Sequence, residues 1–168
     1  MKKVCIVLAL ALMTLGTAFA QKNVKLGHID SNELLKIMPG RDSAQAQLKR
    51  EIIELENELK NMQAELQQLY NDYMAKESQM SDLIKKTKQT ELQEKGSRIE
   101  KFQQDAQISL QEKEKELLTP IIDKAKNAIR DVAKENGYTY IFDSAVGVTL
   151  YDGGDDILPL VKKKLGLN

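Results

Sequence analysis

An apolar residue recurs every three or four positions through the middle of this chain. Eight such residues follow one another at alternating spacings of four and three, with Lys, Glu and Gln at most other positions. They are Leu48, Ile52, Leu55, Leu59, Met62, Leu66, Leu69 and Tyr73. This is the heptad pattern of a helix that packs along one seam against a partner helix. The pattern predicts a coiled coil. The absence of Trp and the small number of aromatic residues favour an elongated helical protein over a compact enzyme.

The repeat fails at Lys76, near the middle of a long stretch that lacks strong helix breakers. Pro39 and Pro120 flank this stretch, and their midpoint falls in the segment KESQMSDLIKK, residues 76–86. The serines and the aspartate of this segment favour helix caps and turns over helix interiors. The chain is therefore expected to turn back here. The alternative, one straight rod, would hold the flanking strands far apart with unpaired edges.

The predicted hairpin has two helices of equal length, 42–77 and 82–117, with its tip near residues 77–82. Ser81 or Asp82 is expected to cap the return helix, because serine and aspartate are preferred N-cap residues. At 1.5 Å per residue each helix would be about 50 Å long. The hairpin would form an arm.

Short β-strands are predicted on both sides of this arm. Residues 23–30, NVKLGHID, alternate in side-chain direction, and residues 138–143 and 146–151 have the pattern of a β-hairpin. Folding back of the helices brings these strands together. The predicted fold class is α+β and mostly helical, with a long antiparallel α-helical hairpin projecting from a small β-sheet body.

Three shorter helices are expected in the body. One is capped by Ser31 and stops at Pro39-Gly40, and a second restarts at Pro120, because proline is tolerated in a first turn. Asp155 or Asp156 is expected to start the last helix.

The first twenty residues predict export. Lys2 and Lys3 precede an apolar run, and residues 18–20, AFA, form a small-x-small cleavage site. The run is too short for a membrane span, so residues 1–20 are predicted to be the cleaved signal peptide of a protein that is soluble outside the cytoplasm. Peripheral contact with the envelope membranes stays open.

The mature chain would contain no cysteine and would be nearly neutral. Without Lys2 and Lys3, 23 basic residues face 25 acidic ones, which excludes the basic excess of a nucleic-acid-binding protein. The predicted arm consists of residues 41–116, and the predicted body consists of residues 21–40 and 117–168. The body has about 70 residues and no disulfide. Bodies of this size are marginal alone, so oligomerisation through the sheet is expected. The strand residues predicted to mediate it are Leu26, Ile29, Tyr140, Phe142, Val146, Val148 and Leu150.

Several segments resemble the Skp/OmpH family of periplasmic chaperones, and the resemblance covers the whole chain. Besides the heptad arm they are KLGHIDSNELLKIMPG, LLTPIIDKAKNAIRDVAKENGYTYIFD and VTLYDGGDDILPLVKKKLGL. The resemblance implies a homotrimer of jellyfish architecture, with a barrel-like core and three arms around a cavity. It implies an ATP-independent holdase for unfolded outer-membrane β-barrel proteins, with no cofactor, nucleotide or nucleic acid. A structural coiled-coil scaffold or spacer of the cell envelope is the alternative.

Two sets of arm residues are candidates for contacts with other molecules. Six apolar or aromatic residues near the tip cannot all be buried in one seam, so some are expected to contact clients; they are Tyr70, Tyr73, Met74, Met80, Leu83 and Ile84. A basic set offers a weak site for anionic lipid or lipopolysaccharide, although the near-neutral chain disfavours it; its members are Lys85, Lys86, Lys88, Lys95, Arg98 and Lys101.

Catalytic and metal-binding residues are not predicted. His28 is the only histidine and the mature chain would have no cysteine, so a His–Cys metal cluster cannot be assembled. A serine–histidine triad would have to use His28, which is expected to pack within a strand. The pair Asp155-Asp156 lacks the ligand spacing of a calcium loop. The chain is therefore predicted not to be an enzyme.

Overall fold

The computed structural model describes residues 24–147 and 149–167. Three strands and four α-helices follow one another in the order β1, α1, α2, α3, β2, β3, α4. Their bounds are β1 Leu26–Ile29, α1 Ser31–Ile37, α2 Arg41–Lys76, α3 Asp82–Glu135, β2 Tyr140–Asp143, β3 Asp155–Asp156 and α4 Leu158–Leu165. The fold is α+β and mostly helical, as predicted.

Helices α2 and α3 pack against each other as an antiparallel hairpin. All eight positions of the heptad seam are buried or half-buried, whereas most of their neighbours on α2 are exposed. Tyr73, the last position, is buried, and its hydroxyl accepts a hydrogen bond from Gln89 Nε2 of α3 at 3.0 Å. Lys95 of α3 pairs with Glu65 of α2 at 2.7 Å. The seam thus predicted both the helix and the side on which its partner lies.

The turn of the hairpin lies where the heptad repeat fails. Helix α2 ends at Lys76, and a 3₁₀ helix, Glu77–Gln79, follows it. The side chain of Ser81 accepts a hydrogen bond from the backbone N–H of Ile84 and caps α3. The predicted turn is therefore confirmed, with Ser81 as the cap and not Asp82.

The predicted helix boundary at residue 117 and the restart at Pro120 are wrong. Helix α3 runs without interruption through Pro120. Proline has no N–H to donate to the carbonyl of Glu116, which normally costs a helix interior about 3 kcal/mol. Thr119 Oγ1 donates to the carbonyl oxygen of Lys115 at 2.6 Å in the same turn.

Packing of the following turns explains why α3 continues. Ala125, Ala128 and Val132 are buried in the main hydrophobic core, and Ile121 packs against that core. The arm and part of the body therefore share one helix. The division into an arm of residues 41–116 and a body of residues 21–40 and 117–168 stays a prediction.

The sheet is parallel, with strand order β2-β1-β3. Leu26 to Ile29 pair with Tyr140 to Asp143, and Gly27 and His28 pair with Asp155 and Asp156. Side chains alternate as predicted for β1, with Gly27 and Ile29 buried. A Cβ on Gly27 would lie 3.0 Å from side-chain atoms of Ile141 and Ile157, so glycine permits this close packing.

The predicted β-hairpin of residues 138–143 and 146–151 is wrong in its second strand. The Asp143 side chain accepts hydrogen bonds from the backbone N–H groups of Ala145 and Ser31, both at 3.1 Å, and these bonds turn the chain. A 3₁₀ helix, Ser144–Val146, and Gly147 in the left-handed conformation follow. Leu150 lies outside any strand, and Val148 lies outside the described residues.

Two predicted helix starts are shifted by local hydrogen bonds. Asp30, not Ser31, caps α1, because its carboxylate accepts from the N–H of Glu33 at 3.0 Å. Asp155 and Asp156 form β3 and not the first turn of α4, although Asp156 still accepts from the N–H of Leu158 at 2.9 Å. The core beneath the sheet is closed by Ile157 and Val161.

Candidate functional site

The distal arm exposes a group of large apolar side chains. Leu83 is 76 % exposed, and Tyr70, Met74 and Ile84 are each about half exposed. Leu83 and Ile84 belong to the first turn of α3 after the Ser81 cap. Tyr70 and Met74 are one turn apart on α2, and Leu83 and Ile84 are adjacent on α3. Exposed apolar side chains of this size are typical of an interaction site. These four residues are called the distal patch below.

The other two residues of the predicted apolar set have different surroundings. Tyr73 is buried in the hairpin, and its hydroxyl donates to Glu77 Oε1 at 3.2 Å. Met80 is half-buried in the turn. These two therefore help to close the end of the arm, and the accessible apolar surface is that of the distal patch.

Four of the six residues of the predicted basic set form ion pairs. Lys88 pairs with Glu91 and Lys101 with Asp105, within one helix in both cases. Lys95 and Arg98 also have acidic partners. Among the described residues, Lys85 and Lys86 have no ion-pair partner within 4 Å. The set therefore offers two available charges to an anionic ligand instead of six.

The same ion pairs change the titration of two arm carboxylates. A hydrogen bond from Lys95, with the attraction of its charge, holds the pKa of Glu65 below its ordinary value. Lys88 lowers the pKa of Glu91 in the same way. Both carboxylates are thus stabilised in the charged form that pairs with lysine.

The outer face of the sheet carries exposed apolar side chains among the described residues. Leu26, Tyr140 and Phe142 lie on this face, and Tyr140 is 60 % exposed. The rings of Tyr140 and Phe142 stack with centroids 6.4 Å apart. His28 pairs in register with Phe142, so it shares this face, where it was expected to pack.

Three other predicted assembly residues that the structure describes do not share this strand face. Ile29 points inward and is buried in the core. Val146 is exposed in the 3₁₀ helix, and Leu150 is fully exposed in the segment before β3. The sheet therefore presents a smaller apolar face than the predicted hairpin would have done.

A cavity of about 310 Å³ lies where the arm joins the body. It is called the root cavity below. Helices α1, α2 and α3 all contribute to its wall, which is mainly aliphatic and includes Leu35, Ala44, Leu48, Leu117, Ile121 and Ile122. The sequence does not predict this cavity, because its wall is formed by three segments that are far apart in the chain. The heptad pattern of the arm identifies only one side of the wall.

Within residues 24–147 and 149–167, no cluster of three or more His, Cys, Asp or Glu side chains is placed to hold a metal ion. Asp155 is engaged with Lys25 and Tyr138, and Asp156 with the start of α4. In the same part of the chain, none of the helices combines the length and the apolar character that a membrane crossing requires.

A sequence model of the family described as "Outer membrane protein (OmpH-like)" matches residues 25–165. The chain belongs to the OmpH-like family. The match covers all three strands, the arm and the whole of α4.

Two relatives are similar to this chain over nearly their full length. It is 25 % identical to "Chaperone protein Skp" of Photorhabdus luminescens and 27 % identical to the protein of that name of Photorhabdus laumondii subsp. laumondii. Each comparison covers 98 % of this chain and 99 % of the relative. The resemblance noted in the sequence is thereby confirmed.

A solved structure shares the OmpH-like fold. It is that of a putative outer membrane chaperone (OmpH-like) from Caulobacter crescentus, with a TM-score of 0.71 and 18 % sequence identity. The similarity covers 84 % of this chain and 83 % of that one. With the relatives named as chaperones, the OmpH-like family places this chain among chaperones and not among enzymes.

Proposed function

We propose that this chain is a periplasmic holdase, a chaperone that keeps unfolded outer-membrane β-barrel proteins soluble without ATP. The family and the names of the relatives support a chaperone role. The observation that carries the proposal is the distal patch, a group of exposed apolar side chains at the end of a long arm. Such a patch is costly in water unless a partner covers it, and an unfolded apolar chain is a suitable partner.

The chemistry of the client fits many weak contacts better than one tight site. A β-barrel chain alternates apolar and polar residues and cannot bury the apolar ones before it reaches lipid. Contact with individual side chains of the distal patch shields part of that surface. Met74 suits partners of varied shape, because its unbranched side chain repacks easily. Release then needs only the loss of several weak contacts, and no nucleotide.

The functional form is proposed to be a homotrimer with its three sheets in a barrel-like core. The apolar outer sheet face supports this, since Tyr140 and Phe142 would otherwise remain in water. Three arms around a cavity would give each client several distal patches at once. The high local concentration of contacts would strengthen binding without making any single contact strong.

Export to the periplasm is part of the same proposal. It rests on residues 1–20, which have the sequence of a signal peptide and lie outside the described residues. Contact with lipopolysaccharide or a membrane surface is proposed only as a weak accessory interaction through Lys85 and Lys86, the two members of the basic set with no ion-pair partner in the described chain.

The test is aggregation of a urea-unfolded outer-membrane β-barrel protein after dilution into buffer without nucleotide. The mature chain is expected to suppress light scattering at a small molar excess. The double variant Leu83→Ser, Ile84→Ser should suppress it less well. Ile108→Ser is the matched control, because Ile108 is about as exposed as Ile84 but lies on the middle of α3. Unchanged scattering at several-fold excess of the wild-type chain would contradict the holdase.

Cross-linking in cells separates the holdase from the scaffold. A holdase is expected to link to many β-barrel proteins, each in small amount. One stable partner in fixed stoichiometry would instead support a structural spacer of the envelope.

A further inference from the structure

The root cavity has the size and the lining of a pocket for one large apolar side chain. Its volume of about 310 Å³ is at the lower end of the range of ligand pockets. Leu35, Leu48 and Ile122 are aliphatic parts of the wall, and none of them carries a polar group that would hold water. Filling such an aliphatic wall with an apolar group is favourable, because apolar surface is removed from water.

Small and turn-forming residues keep the cavity open. Ala44 is buried at the wall, and its methyl group leaves space that a larger residue would occupy. Gly40 has a φ of 91°, which glycine adopts without strain, and it starts α2 beside Ile121 of α3. The turn connects α1 to α2, and residues of α1, α2 and α3 together line the gap between these helices.

The polar residues that line the cavity carry no net charge. Arg41 and Glu114 carry opposite charges, and neither has an ion-pair partner within 4 Å in the described chain. Asn32 and Gln45 add exposed side-chain amides, each of which can donate and accept hydrogen bonds. A rim with no net charge and with both donors and acceptors is complementary to a neutral peptide backbone. An anionic ligand would be attracted by Arg41 and repelled by Glu114.

We propose that the root cavity receives a large apolar side chain of an extended client segment, while the rim binds the adjacent peptide groups. This inference rests on the proposed holdase function and deepens it by assigning a second contact, far from the distal patch. In an extended chain every second side chain points the same way, so one residue enters the cavity and its neighbours stay outside.

The two contacts set a length for the client segment. From Ala44 to the end of α2 at Lys76 the helix spans 32 residues, or about 48 Å at 1.5 Å per residue. An extended chain needs about 14 residues to cover that distance at 3.4 Å per residue. A client of that length or longer can therefore contact both ends of one arm.

The direct test uses a short peptide on the mature chain in its native assembly. The protein contains no Trp, so the fluorescence of a peptide with one Trp reports binding without background. The probe is an acetylated and amidated hexapeptide with alternating Thr and apolar residues. Ala44→Leu fills the cavity and is expected to weaken peptide binding about tenfold or more, the loss that corresponds to burial of one apolar side chain.

Ala46→Leu is the matched control, because Ala46 is exposed on the same helix two residues away and is not part of the cavity wall. It should bind the peptide like the wild type. Equal affinity of the Ala44→Leu and Ala46→Leu variants would overturn the inference. So would a strong preference for the same peptide with a free carboxylate, or displacement by decanoate, because either result would identify an anion-binding pocket.

A second measurement covers the case in which Ala44→Leu disturbs folding. The mature chain would have no cysteine, so Gln45→Cys can carry a single benzophenone label at the rim, with Lys49→Cys as the control one turn further along α2. The rim label should cross-link the peptide more efficiently than the control label. Equal cross-linking by the two labels, or a cross-link from the rim to a second copy of this chain, would overturn the inference.

Failure of this inference differs from failure of the holdase. If the wild-type chain suppresses aggregation and the Ala44→Leu variant does so equally well with unchanged peptide affinity, the root cavity is not a client site and the holdase stands. If the wild-type chain does not suppress aggregation, the holdase fails, and with it the assignment of the cavity to a client.

Discussion

Tyr138 donates a hydrogen bond of 2.9 Å to Oδ2 of Asp155, and so joins the chain that follows α3 to the first residue of β3. Lys25, just before β1, lies 3.6 Å from the same carboxylate oxygen and 4.0 Å from the centre of the Tyr138 ring. The three segments of the sheet are therefore tied together at one end. The N-terminal strand depends on residues more than a hundred positions away.

Replacement of Tyr138 by Phe should lower the free energy of unfolding by about 1 kcal/mol. The variant keeps the ring beneath Lys25 and removes only the hydroxyl, so the loss corresponds to one hydrogen bond to a charged, partly solvated acceptor. Urea denaturation at a fixed protein concentration measures it. Tyr151→Phe is the control, because Tyr151 is largely exposed. A loss of equal size in both variants would contradict the assigned role.

The Tyr138 hydroxyl also predicts a dependence of stability on alkaline pH. Burial, and the hydrogen bond to Asp155, raise the pKa of Tyr138 above its ordinary value. A pKa higher in the folded than in the unfolded state adds stability that is fully present below the unfolded value of about 10 and is lost as pH rises through the folded one. Denaturation midpoints from pH 8 to 11 should therefore fall more steeply for the wild type than for Tyr138→Phe.

The ion pair between Glu65 and Lys95 should be detectable as a lowered pKa of Glu65 in a titration of the protein. Since Lys95 lowers the pKa of Glu65, the stabilisation is present above the unfolded pKa, near 4.5, and is lost as pH falls through the folded value. Lys95→Gln should raise the Glu65 pKa in a carbon-detected NMR titration. Lys101→Gln, which removes a pair confined to α3, should leave it unchanged.

Two glycines predict opposite effects of the same substitution. A Cβ on Gly96, inside α3, would meet no other described atom within 4 Å, and the same is true of Gly137. Gly96 is helical, so Gly96→Ala should stabilise the chain by about 0.5–1 kcal/mol. Gly137 has a φ of 71°, so Gly137→Ala should destabilise it by about 1 kcal/mol. Thermal unfolding of both variants under identical conditions measures the difference, and a shift of the same sign would contradict it.

The parts of the fold that the sequence predicts are those decided by local pattern. The seam that ends at Tyr73 and the turn before Ser81 each depend on residues close together in the chain. The helix through Pro120 could not be predicted locally, because packing of the turns that follow outweighs the missing hydrogen bond. Strand β3 consists of two aspartates with low strand propensity, and it forms only because Gly27 and His28 offer a strand edge.

The same distinction applies to the candidate sites. The exposure of Leu83 and Ile84 can be predicted, because a helix cannot bury residues on all its sides at the end of a seam. The burial of Tyr73 depends on Gln89 and Glu77 as well as on its heptad position. The root cavity depends on how the turn at Gly40 places α1 against α2 and α3, which no repeat or spacing in the sequence encodes.

The outer sheet face predicts how assembly should respond to a single charge. Phe142 on this face is 44 % exposed, and Ile53 on the arm is 45 % exposed, so both should accept a lysine in the isolated chain at similar cost. If the sheets form the core of the oligomer, Phe142→Lys would bury an unpaired charge there, and such burial costs several kcal/mol. Sedimentation equilibrium at micromolar concentration should then show dissociation of Phe142→Lys into monomers, whereas Ile53→Lys remains a trimer. A trimer that persists in Phe142→Lys, with circular dichroism like that of the wild type, would exclude this face from the interface.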